Sequence, residues 1–228
     1  MRDRRTDMHN QWNGKKWFCY GTSMTDNTQN TGFYSAYLAE YAGLEEHNYG
    51  KANSGIVPSL HGEDNIKSRV MCLSDGKGDA DLITVEVIPN DMKAPLGEVT
   101  DIGDDTFCGN LNQILEYLLV HTDAVVAVLI ATRGRYEFQH IEKQYTPCTE
   151  YVQDRLQWES AVETICKMQG VPCWNGAAEG GLGYFRVSRN NKYVQDQIHL
   201  TKEGGRVLAN YYWGKLQNLY PQKVEKNM

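Results

Sequence analysis

Two short, predominantly apolar runs constrain this chain more than anything else in it. Residues 82–88 (Leu-Ile-Thr-Val-Glu-Val-Ile) and 124–131 (Ala-Val-Val-Ala-Val-Leu-Ile-Ala) are rich in β-branched side chains and too short for free-standing helices. A strand with one wet face alternates apolar with polar residues. A strand that is apolar at almost every position must be covered on both faces, as in a parallel sheet. Between the two runs, residues 107–121 repeat apolar positions at three- and four-residue spacing, which predicts a helix. The same period predicts helices at 31–44, 149–169 and 201–219, and more loosely at 63–73. Further short strands are expected at 17–20, 47–52 and 171–174. Five strands alternating with helices predict an α/β fold: a three-layer α/β/α sandwich around a five-stranded parallel sheet. The 228 residues fit one such unit over 12–220, with polar tails at 1–11 and 221–228.

Right-handed crossovers restrict the topology, and a flavodoxin-like strand order is the simplest solution. In such a sheet ligands bind beyond the carboxyl ends of the strands. The turns to inspect are therefore those at Ser23, Gly55, Asn90 and Arg133.

Composition narrows the partners. Lys and Arg number 23 against 29 Asp and Glu, a net charge of −6, the wrong sign for binding phosphate backbones, so no nucleic-acid partner is expected. The longest apolar stretch, 124–131, is far short of the roughly 20 residues that span a bilayer, so no membrane insertion is expected. Basic residues gather at Arg2, Arg4, Arg5, Lys15 and Lys16 without a following apolar segment, so no secretory signal is read. A cytoplasmic site is then the default, with an extracellular or virion site the alternative for a piece of a larger protein. Six cysteines (Cys19, Cys72, Cys108, Cys148, Cys166, Cys173) show no C-x-x-C pairing and read as reduced thiols. No metal and no cofactor is expected.

The chemistry lies in the turns. Ser23 follows the first strand in Gly21-Thr22-Ser23-Met24-Thr25. A serine hydroxyl is a poor nucleophile unless a base lies within hydrogen-bond reach and a third group orients that base. Asp196-Gln197-Ile198-His199 offers the pair: three residues apart, a carboxylate and an imidazole would lie side by side on a helical turn. Asp196 would then hold the Nδ1 proton of His199, leaving Nε2 to accept the proton of Ser23. Acyl transfer also needs donors for the developing oxyanion, and the N–H of Ser23, the N–H of Gly55 and the amide of Asn90 sit at the ends of neighbouring strands.

In the order Ser23, Gly55, Asn90, Asp196 and His199, the chain resembles the SGNH, or GDSL, hydrolases across residues 12–220. The resemblance implies a serine nucleophile at Ser23, a triad completed by Asp196 and His199, and an oxyanion hole of Ser23, Gly55 and Asn90. It implies the same five-stranded sandwich, a carboxylic-ester hydrolase activity, and a small-molecule or carbohydrate ester as substrate. Stretches such as Trp12-Asn13-Gly14-Lys15-Lys16-Trp17 and Pro95-Leu96-Gly97-Glu98 are similar to a bacterial and phage-associated subset. Two positions depart from the family pattern. Thr22 stands where aspartate is usual, and Ile88 stands where glycine precedes x-Asn-Asp. A β-branched residue takes a glycine-type backbone only at a cost, so the Asn90 turn is expected to sit differently or the pocket to be narrower.

The favoured expectation is a cofactor-independent esterase for short acyl groups, chiefly acetyl. The alternatives are a glycan-binding module whose chemistry has decayed around Thr22 and Ile88, or a lipase or thioesterase. Arg133 reads as a surface arginine, and Trp158, Trp174, Tyr184 and Phe185 as packing aromatics. The nine acids between Asp75 and Asp105 read as a solvated face, and the segments 24–31 and 176–183 as flanks of the cleft.

Overall fold

The computed structural model describes residues 10–28, 33–72, 79–88, 90–132, 150–183, 186–187, 192–196 and 198–219. Five parallel strands, β1 (Lys16–Gly21), β2 (Glu45–Gly50), β3 (Leu82–Val87), β4 (Val125–Ile130) and β5 (Cys173–Asn175), form one sheet in the order β2-β1-β3-β4-β5. This is the flavodoxin-like order. The helices are α1 (Tyr34–Ala42), α2 (Pro58–His61), α3 (Ile66–Met71), α4 (Phe107–His121), α5 (Glu150–Gln169), α6 (Gly176–Glu179) and α7 (Lys202–Leu216).

Alternation along each strand divides the core in two. Phe18, Tyr20, Ile83, Val85, Val126 and Val128 pack with Ile66, Leu111, Ile114 and Ile165 of α3, α4 and α5. Trp17, Cys19, Leu82, Val125, Ala127 and Leu129 pack on the other face with Leu38 of α1 and Leu208 and Tyr212 of α7. The three central strands are buried at all but one position, which is why β4 reads as a continuous apolar run and β3 is apolar apart from Thr84 and Glu86. Edge strand β2 (Glu-Glu-His-Asn-Tyr-Gly) has no fully buried position, and its polar sequence follows from that.

Several boundaries differ from the sequence reading. The loose helix at 63–73 is the shorter α3, 66–71, and a further short helix, α2, precedes it. Pro58 starts α2, and a reciprocal Asn65–Ser68 capping box starts α3. Strand β2 begins two residues earlier than expected, and β5 occupies 173–175 rather than 171–174. Part of the glycine-rich loop is helix α6, started by the Asn175 side chain accepting from Ala178 N at 2.9 Å. At the amino end Asn10 and Gln11 bond to Ala42 O and Leu219 O, and buried Trp12 donates to Leu216 O at 3.0 Å. The rest of both expected tails lies outside the described residues, as do Arg133, Cys148, Tyr184 and Phe185.

Candidate active site

The order of strand addition reverses between β1 and β3, since the chain moves from β1 outward to β2 and returns to the far side of β1. The carboxyl ends at such a point open a crevice. Ser23 follows β1, Gly55 follows β2 and Asn90 follows β3, so three of the residues singled out from sequence surround it.

The fold brings Asp196 and His199 to Ser23 across 176 positions of sequence. His199 Nε2 lies 3.0 Å from Ser23 Oγ, and His199 Nδ1 lies 2.6 Å from Asp196 Oδ2. The Asp-x-x-His spacing acts here in a loop, not on the expected helical turn. Val194 and Leu200 form an antiparallel bridge, and Gln195 N donates to His199 O at 2.9 Å. Asp196 Oδ1 accepts from His199 N (2.7 Å) and Ile198 N (3.2 Å), so the carboxylate closes the turn with one oxygen and holds the imidazole with the other. Partial burial pushes the Asp196 carboxyl up, but the His199 ring and these two backbone N–H groups outweigh it and hold it below the usual aspartate range. Thr201, two residues after His199, caps helix α7 by accepting from Gly204 N.

Asn90 and Gly55 meet through one peptide unit. Asn90 Nδ2 donates to Ser54 O at 2.8 Å, and that carbonyl shares its peptide bond with the Gly55 N–H. Asp91, fully buried, accepts from Ile56 N and Val57 N and lies 3.1 Å from His61 Nε2. The other His61 nitrogen lies 3.1 Å from Asn53 O. A Cβ on Gly55 would overlap both the Asp91 carboxylate and the His61 ring, so close approach rather than φ demands glycine there.

Ile88 stands where the family pattern has glycine. It adopts φ +57°, the left-handed conformation glycine would take, and turns its side chain fully into the core. The residue that departs from the family pattern therefore takes a backbone conformation that favours glycine ahead of Asn90. Thr22, the other departure, donates through Oγ1 to Glu86 Oε1 at 2.7 Å. Glu86 and Asp91 are both fully buried, so the acidic segment is not solvated throughout. Sequence reasoning passed over Glu86, although a lone carboxylate in a strand apolar on both faces was the available signal. Trp158 and Trp174 pack in the core.

Among the described residues no group of three His, Cys, Asp or Glu side chains is arranged to hold a metal ion, and no helix is long and apolar enough to cross a membrane. A groove of about 490 Å³ lined by Val99, Ile102, Asn112, Glu116, Leu119 and Met168 contains none of the residues above.

No protein-family model and no curated protein matches the sequence. Solved structures do. A protein from Lactobacillus plantarum superposes with a TM-score of 0.74 at 23% identity, over 91% of this chain and 99% of that one. A catalytic mutant of an acetylxylan esterase from Geobacillus stearothermophilus gives 0.62 at 13% identity, over 93% and 98%. A protein from Slackia heliotrinireducens assigned to the SGNH hydrolases gives 0.58 at 13% identity, over 90% and 100%. With its sheet order and crevice, this chain has the fold of the SGNH/GDSL hydrolases.

Proposed function

We propose that the protein is a serine esterase that removes short acyl groups, acetyl foremost, from small-molecule or carbohydrate esters. The observation that carries this reading is the unbroken line of contacts from Asp196 through His199 to Ser23 Oγ. The acyl preference and the carbohydrate draw their support from the likeness to an acetylxylan esterase.

Ser23 Oγ attacks the ester carbonyl as its proton passes to His199 Nε2, and Asp196 holds the Nδ1–H and stabilises the imidazolium. The oxyanion takes hydrogen bonds from the N–H groups of Ser23 and Gly55 and from Asn90 Nδ2. One Asn90 amide hydrogen serves Ser54 O, and the second is left for the ligand. His199 then returns its proton to the departing alcohol, and water attacks the acyl-Ser23 ester by the same steps in reverse.

A fluorophosphonate that traps activated serines tests the reading without knowledge of the substrate. One adduct on Ser23 is expected, absent from Ser23→Ala and formed at least about 100-fold more slowly in His199→Ala. A folded His199→Ala that labels at the parental rate would remove His199 from the role. An unreactive, folded protein would leave the glycan-binding reading. Esters graded from acetyl to palmitoyl then separate a short-chain esterase from a lipase or thioesterase.

A further inference from the structure

Glu86 is a carboxylate in the middle of the sheet with no exposed surface. Its hydrogen-bond donors belong to the turn that carries Ser23, and Arg155 of α5 adds a favourable charge. Oε2 accepts from Thr22 N at 3.1 Å and from Thr25 Oγ1 at 2.6 Å, and Oε1 accepts from Thr22 Oγ1 at 2.7 Å. Since the Thr25 hydroxyl gives its one hydrogen to Glu86, the bond of 2.7 Å to Tyr34 is donated by the tyrosine. Thr22 Oγ1 in turn accepts from Met24 N at 3.3 Å, and Thr22 O accepts from Thr25 N and Asp26 N. The backbone on both sides of Ser23 is thereby tied, directly or through Thr22, to one carboxyl group on the neighbouring strand. Gly21 fits the same arrangement, because a Cβ there would overlap Thr25 and the Glu86 carboxylate.

A buried carboxylate is an expensive way to hold a turn, and its burial pushes the Glu86 carboxyl above the usual glutamate range despite the threonine donors. An apolar residue would avoid that penalty but would leave the Thr22 N–H and the Thr22 and Thr25 hydroxyls without their acceptor. The cost is intelligible if the site needs the turn held in one position.

We infer that Glu86 is the positioning residue of the nucleophile: through Thr22 and Thr25 it fixes the Ser23 turn against the His199 base. The inference rests on the esterase reading of Ser23. Glu86 itself touches no reacting atom, and its effect falls on how often Ser23 Oγ and His199 Nε2 are aligned.

The test compares fluorophosphonate labelling rate, kcat and KM on an acetyl ester, and thermal midpoint in the full chain. Glu86→Leu removes the acceptors and the buried charge together. The expected result is a folded protein with a lower midpoint, labelling and kcat reduced by about 100-fold and KM nearly unchanged. Glu86→Gln can still accept from Thr22 N and Thr25 and donate to Thr22 Oγ1, so it should restore most of the rate. Folded Glu86→Leu that labels at the parental rate overturns the inference. Should Glu86→Leu fail to fold, Thr22→Val decides: reduced labelling at an unchanged midpoint supports the inference, and parental labelling overturns it. A parent unreactive at Ser23 overturns the esterase reading itself and takes this inference with it, an outcome distinct from a reactive parent with reactive variants.

Discussion

Ile88 is held in the left-handed region at φ +57°, a conformation that costs a β-branched residue about 1–2 kcal/mol. Its side chain is fully buried, and deleting a buried isoleucine costs about 2–5 kcal/mol. Burial outweighs strain, so Ile88→Gly should relieve the backbone yet lower stability by about 1–3 kcal/mol in urea unfolding. A gain in stability would mean the strain is the larger quantity. Sequence alone exposes the conflict, a β-branched residue where the family pattern has glycine, but not its resolution, which depends on the space that the core offers the side chain. Glu86 is a parallel case. Its identity is plain in the run 82–88, while its partners Thr22 and Thr25 lie 61 to 64 positions away.

The long helices and central strands are legible from sequence because each carries its own periodicity. Helix α4 has the bounds expected, 107–121, with Thr106 capping its start. Helices α2, α3 and α6 are too short to show a period, and local capping by Pro58, Asn65 and Asn175 sets them. Glycines 176–183 suggest a loop beside the cleft, yet Gly176 is required because Leu208 and Tyr212 of α7 pack where its Cβ would be. Helix α7 matters for the site because its cap lies two residues beyond His199. Thr201 Oγ1 accepts from Gly204 N at 3.2 Å and donates to Lys192 O, joining the helix start to the strand of the Asp196 loop. Thr201→Ala should cost about 1 kcal/mol of stability, seen as a lower denaturation midpoint. It should also slow Ser23 labelling more than Thr106→Ala, which removes an equivalent cap far from the site. Equal labelling in the two variants would show that the α7 cap does not hold the loop.

Across the whole molecule, buried and exposed carboxylates pull the pH dependence of stability in opposite directions. Lysine and arginine partners hold Asp64, Asp104 and Glu179 below their usual ranges, so their contributions are present at neutral pH and are lost as pH falls through their folded values. Glu86 is raised, chiefly by burial, so its contribution is fully present below the ordinary glutamate value of 4.5 and is lost as pH rises through its higher folded value. Glu86→Gln should therefore raise the thermal midpoint at pH 7 and change it little at pH 4, which calorimetry at the two pH values would show. An equal effect at both would place the Glu86 carboxyl in its ordinary range. The sequence by itself determined the layers, because apolar runs at 82–88 and 124–131 can be satisfied only between two sheets of helices. It also marked Ser23, Gly55, Asn90, Asp196 and His199 by order and spacing. Only the tertiary structure decided how these residues meet: an Asp–His pair set in a loop, a glycine-like backbone at Ile88, and Glu86 beneath the Ser23 turn. Periodicity is a local property written along the chain, whereas these contacts exist only once parallel strands bring distant turns to one edge of the sheet.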